Sequence, residues 1–160
     1  MLLGDPYLPY VITEYKFWKL VLNEKQLPYL GRCYAWWKDR EPGEGENMSF
    51  DELPNKALIE LKQIAHELKS VYFALGYTVD PYGDYFRLNG PLFLANEAEH
   101  HRGHMHMHFV PRTGISFTTR FGITVVDPNW GKNYANPQGE AKLPHHTLIR
   151  IAEEMARALE

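Results

Sequence analysis

The sequence predicts an α+β domain: an antiparallel sheet covered by one long helix, with a second helix at the C-terminus. Three observations carry this reading. Apolar residues between 57 and 75 recur at the helical period. Short aromatic and β-branched runs on both sides of that segment suit strands. The order is therefore strands, helix, strands, helix, with short connections and none of the regular alternation that builds a parallel sheet. A chain of 160 residues is the size of one domain and can bury a genuine core. Residues 1–160 are accordingly read as a single domain, with 1–13 as an N-terminal extension.

Each element has its own signal. Residues 1–13, with their tyrosines and prolines, are expected to wrap over the surface or reach a partner subunit. From Tyr15 to Leu22 the chain is aromatic and β-branched enough for a strand, which Asn23-Glu24-Lys25-Gln26 then breaks. A second strand is expected from Gly31 to Lys38, with Cys33, Ala35 and Trp37 on one face and Arg32, Tyr34, Trp36 and Lys38 on the other. Residues 39–50 have loop composition. The long helix carries Ala57, Leu61, Ile64, Ala65, Leu68, Val71, Tyr72 and Leu75 on one stripe, with Lys62, His66 and Lys69 off it. Ser49 or Asp51 is its expected N-cap, Pro54 suits its first turn, and Gly76 offers a left-handed stop. Two further strands are expected around Phe86-Arg87-Leu88 and Leu92-Phe93-Leu94. Phe117 to Val126 suits a hairpin or edge strand. Pro144 opens a last helix with Leu148, Ile151, Ala152, Met155 and Leu159 on its apolar stripe.

Composition narrows the function. A net charge of −3 argues against a general nucleic-acid-binding surface. A small polyanion remains open, since it needs only a local set of donors. One cysteine, Cys33, allows no internal disulfide and fits a reducing compartment. The N-terminus has no basic region followed by an apolar run, and no stretch approaches a membrane span, so a cytoplasmic protein is expected.

The chemistry concentrates at Gly103-His104-Met105-His106-Met107-His108-Phe109-Val110-Pro111-Arg112. In a strand, alternating residues share a face, so His104, His106 and His108 line one side, starting about 6.6 Å apart. Met105, Met107 and Phe109 then line the core side. A row of imidazoles suits two chemistries. One is attack on phosphorus, where a neutral ring is a nucleophile that phosphate does not repel. The other is metal binding, since His-x-His on a strand presents two ligands to zinc. Glu97, Glu99, His100, His101 and Cys33 are the further ligands such a site would draw on.

The run of His, apolar, His, apolar, His, two apolar residues and then Pro-Arg resembles the histidine triad superfamily of nucleotide hydrolases and transferases. The resemblance implies an α+β sheet that pairs with a second subunit's sheet, hence a homodimer. It implies that His106 is the nucleophile, that His108 contacts the scissile phosphate or leaving group, and that His104 supports the site. It also implies that Asn23, after the first strand, contacts ribose, although an Asn there equally favours a turn. Asn96 resembles the Asn or Gln near phosphate and ribose, with a loop-entry residue as the plain alternative. Arg112 offers a forked donor to phosphate, against a surface Arg that merely ends the strand. Tyr34, Trp36 and Trp37 are either a wall for a base or core. His66, His145 and His146 are given no role.

Two departures from the family pattern bear on substrate. Many members begin the second strand with a histidine after a glycine. Here Gly31 is followed by Arg32, which can bind phosphate but cannot accept a proton. Many members also place Gln and a hydroxyl residue before the triad, where this chain has Glu99-His100-His101-Arg102. The expected function is hydrolysis or nucleotidyl transfer on nucleoside phosphate anhydrides or phosphoramidates, such as dinucleoside polyphosphates, through a nucleotidyl-histidine. No cofactor is required for the nucleophile, though a divalent metal can accompany substrate phosphates. The alternative is a non-catalytic nucleotide-binding or His-ligated metal-binding protein.

Overall fold

In β2 (Trp18–Leu22), alternation sends Trp18, Leu20 and Leu22 into the core and Val21 to the opposite face of the sheet. That split organises the whole fold. In this computed structural model, residues 10–46, 48–78, 87–92, 104–132 and 143–160 are described, with the backbone alone for 87–92. Five antiparallel strands form one sheet in the order β1-β2-β3-β5-β4. They are β1 (Val11–Glu14), β2, β3 (Cys33–Trp37), β4 (Arg87–Leu92) and β5 (His106–Arg112). A separate hairpin pairs β6 (Phe117–Thr118) with β7 (Thr124–Val125). Helices α1 (Asn55–Leu75) and α2 (His145–Ala158) complete the α+β fold. Among the described residues no helix is long and apolar enough to cross a membrane.

Helix α1 forms because its stripe has something to bury against. Ala57, Leu61, Ile64, Leu68, Val71, Tyr72 and Leu75 join the sheet's core residues in one cluster. Each large apolar side chain so buried contributes roughly 1.5–3 kcal/mol. The Trp18 indole also donates to the Ala57 carbonyl at 2.9 Å. Pro54 occupies the N-cap position, whereas Ser49 and Asp51 belong to a preceding 3-10 turn, with the Ser49 hydroxyl donating to Asp51 and Glu52. The helix stops at Gly76, whose φ is +121° and where a Cβ would meet the Phe117 ring at 2.8 Å. Both constraints require glycine there.

Several strand expectations need correction. Residues 11–13 of the supposed extension, with Glu14, form edge strand β1, paired with β2. The strand expected over 15–22 begins only at Trp18, because residues 15–17 form the turn that joins β1 to β2: the Tyr15 amide donates to the Trp18 carbonyl at 2.7 Å, and Glu60 of α1 accepts the Lys16 and Phe17 amides at 2.9 and 2.8 Å. Of the two strands expected around 86–88 and 92–94, residues 87–92 form one strand, β4, with a register shift between Asn89 and Leu92, while Phe86, Phe93 and Leu94 lie outside the described residues. The triad strand begins at His106, not His104, and runs on to Arg112. Pro111 is tolerated there because β3 pairing ends at Cys33↔Phe109, so no neighbour on that side needs its missing N–H.

Candidate functional site

β3 and β5 build the site between them. Their register sets Tyr34 opposite His108 and Trp36 opposite His106. Met105, Met107 and Phe109 point into the core with Cys33, Ala35 and Trp37. The imidazoles therefore lie on the other face, as alternation requires. The His106 and His108 ring centroids are 5.0 Å apart, and Tyr34 lies 5.9 Å from each. Trp36 lies 5.9 Å from His106 and stacks on His104. His104, His106 and His108 are 7%, 4% and 1% exposed, so bulk water is largely excluded from all three rings.

A main-chain contact sets the tautomer of the middle ring. His106 Nδ1 lies 2.7 Å from the His104 carbonyl oxygen. A carbonyl only accepts, so Nδ1 carries the proton, and in the neutral ring Nε2 holds the lone pair. His104 differs. Both its ring nitrogens face acceptors, Nε2 the Asp39 Oδ1 at 2.9 Å and Nδ1 the Met105 carbonyl oxygen at 3.2 Å. Among the described residues, no group of three or more His, Cys, Asp or Glu side chains is gathered for a metal ion. Glu97, Glu99, His100 and His101 lie outside the described residues.

The remaining candidates divide. Asn23 Oδ1 accepts the Lys25 amide at 2.9 Å, so this side chain makes a local turn. Gln26 braces the same hairpin: its amide donates to the Asn23 and Arg32 carbonyls, and its oxygen accepts the Gly31 N–H. Arg32, expected to meet phosphate, is 2% exposed, a burial like that of His106 and His108. It lies near enough to Cys33 and Tyr72 for its charge to oppose the upward push that burial gives both groups. Arg112, expected to present a fork to phosphate, turns that fork on Asp127. Its Nε–Oδ2 distance is 2.6 Å and its Nη2–Oδ1 distance 3.3 Å, with the Asn129 and Lys132 carbonyls accepting its other donors. The guanidinium thus ties the 113–132 excursion to the end of β5. Trp37 is core, edge-on to Trp18 at 5.2 Å, while Trp36 gives one face to His104. Asn96 lies outside the described residues.

Sequence reasoning missed Asp39, Gly45 and Asp127. Asp39 and Gly45 fall in a segment that composition identifies only as loop. The available signal was register: with Trp36 opposite His106, the residues just after β3 must pass close to His104. For Asp127, the signal was its turn-forming sequence, and its Oδ1 does accept the Asn129 amide at 2.9 Å.

No family model and no curated protein matches the chain. Its fold is similar to that of a hypothetical histidine triad nucleotide-binding protein from Sulfolobus tokodaii strain7. The TM-score is 0.55 at 16% identity, covering 94% of this chain and 83% of that one. The chain therefore has a histidine-triad-like fold.

Proposed function

We propose that the protein is a nucleotide phosphohydrolase or nucleotidyl transferase, acting on a nucleoside phosphate anhydride or phosphoramidate such as a dinucleoside polyphosphate. The observation that carries this reading is the 2.7 Å contact from His106 Nδ1 to the His104 carbonyl, which puts the lone pair of the neutral ring, the pair a nucleophile uses, on Nε2. Nε2 attacks the phosphorus next to the nucleoside, and an N–P bond forms. The bond from phosphorus to the leaving oxygen or nitrogen breaks, with its electron pair going to the leaving group. His108, with its ring 5.0 Å from that of His106, lies beside the phosphate or the departing atom. Water or a second anion then attacks phosphorus, and the N–P electron pair returns to Nε2. The His104 carbonyl stabilises the positive charge that His106 carries between the two steps.

No cofactor is needed for this step, and any divalent metal arrives with the substrate phosphates. Asn23 and Asn96 are assigned to ribose by the resemblance alone. A second subunit pairing with the sheet, giving a homodimer, belongs to the same proposal. A screen of dinucleoside polyphosphates, nucleotide sugars and nucleoside phosphoramidates with product analysis tests the reading. His106→Ala should lower turnover on the order of a thousandfold or more while leaving nucleotide binding and folding largely intact. Parent-rate turnover by that variant would refute the nucleophile assignment. Tight nucleotide binding without product in the parent would favour a sensor.

A further inference from the structure

We infer that Asp39 is a positioning residue for His106, acting through His104, Gly45 and the peptide between His104 and Met105. This rests on the reading of His106 as the nucleophile. Asp39 Oδ1 accepts two bonds, from His104 Nε2 and from the Gly45 amide, each at 2.9 Å. Gly45 in turn accepts the Met105 amide on its carbonyl at 2.9 Å. The Met105 amide and the His104 carbonyl belong to one peptide plane, and that carbonyl accepts His106 Nδ1–H at 2.7 Å. One carboxylate oxygen thus fixes both the side chain and the peptide plane of the residue that orients the nucleophile.

The fit around His104 is tight on two sides. Trp36 lies parallel to one face of its ring, at 4.0 Å between centroids. On another side, a Cβ added at Gly45 would come within 2.4 Å of His104 Nε2 and 2.8 Å of Asp39 Oδ1. Only glycine lets the Glu44–Glu46 turn pass close enough for its carbonyl to reach Met105. The peptide is also polarised: an amide whose N–H is already donating makes its own carbonyl the stronger acceptor. That favours the His106 ring when it becomes cationic in the covalent intermediate.

Magnitudes separate this role from a structural one. The Asp39 side chain is 32% exposed, and ion pairs near the surface contribute little to stability. Loss of orientation at a reacting atom, in contrast, costs activity steeply. Asp39→Ala and Asp39→Asn distinguish the two, because Asn keeps an oxygen acceptor at the same place while discarding the charge.

The test is long-range ¹H–¹⁵N NMR of the histidine rings in the full chain, together with kinetics on a fluorogenic adenosine 5′-phosphoramidate. In the parent, His106 should give the Nδ1–H tautomer. Asp39→Ala should move it toward a mixture of tautomers and lower kcat roughly ten- to a hundredfold with KM little changed. Asp39→Asn should recover most of both. An unchanged His106 signature in Asp39→Ala overturns the inference, whatever happens to stability. Because the NMR needs no turnover, a parent that fails to cleave the probe counts against the proposed function and leaves the positioning result standing on its own.

Discussion

Trp36 and His104 lie face to face, with ring centroids 4.0 Å apart and planes 1° from parallel. One residue is the last but one of the central strand β3 and the other leads into β5, so the stack lies at the end of that strand pair. Such stacks contribute roughly 0.5–1.5 kcal/mol beyond the area they bury. Trp36→Leu should therefore lower stability by about that much more than its loss of apolar area, and Trp36→Phe should recover part of it. Equilibrium urea unfolding of the two variants measures this. Equal stability of both variants would mean that the stack contributes nothing.

The turn carrying Gly45 has an acid-sensitive anchor. Glu44 accepts from the Arg40 guanidinium at 2.8 Å and from the Trp37 indole at 2.7 Å. The Arg40 hydrogen bonds above all, then those from Trp37 and the Arg40 amide, hold its carboxyl at about 2 against the usual 4.5, burial opposing them in part. A carboxyl lowered on folding stabilises the native state above its unfolded pKa, and that stabilisation fades as pH falls toward the folded value. The stability difference between the parent and Glu44→Gln should be constant above about pH 4.5 and should shrink from there down to about pH 2. Urea midpoints across that range read it directly. A difference that stays level throughout would contradict the anchor.

Cys33 should be chemically silent in the native protein. Burial pushes its thiol up to about 12, against smaller downward pulls from the Tyr72 hydroxyl and the Arg32 charge. The thiolate is the reactive form, and little of it exists at mildly alkaline pH. Labelling with an aromatic disulfide should proceed at the rate of unfolding and become fast only in denaturant. Rapid labelling of the folded protein would show that this part of the core opens.

How much of this was legible beforehand follows from the range of each interaction. The face assignments of Met105, Met107 and Phe109 against His104, His106 and His108 need only strand periodicity, and helix α1 with its Gly76 stop needs only helical periodicity. The turn at Lys16 and Phe17 gives its amides to Glu60, more than forty residues away, a contact that no local pattern announces. Arg112 illustrates the same limit. Its sequence position allowed a phosphate contact, and Asp127, fifteen residues on, takes the fork. Asp39 and Gly45 meet His104 only once β3 and β5 are in register.

The Arg112–Asp127 pair should matter for stability. Their side chains are 4% and 1% exposed, and removing one partner of a buried pair typically costs about 3–5 kcal/mol. Asp127→Ala should fall in that range, because it leaves the guanidinium charge buried beside the Tyr29 ring. Replacing both residues with apolar ones of similar size should recover much of the loss. Denaturant unfolding of the single and double variants is the measurement, and a single variant within about 1 kcal/mol of the parent would place the pair among surface contacts.

In the proposed reaction His106 Nε2 bonds phosphorus. The most direct measurement is intact-mass analysis of the protein mixed with a turned-over nucleotide substrate and quenched without acid, followed by peptide mapping. A transient mass increase of one nucleotidyl group is expected, located on His106 and absent from His106→Ala. Steady turnover with no adduct at any time point, or an adduct mapping to another residue, would contradict it.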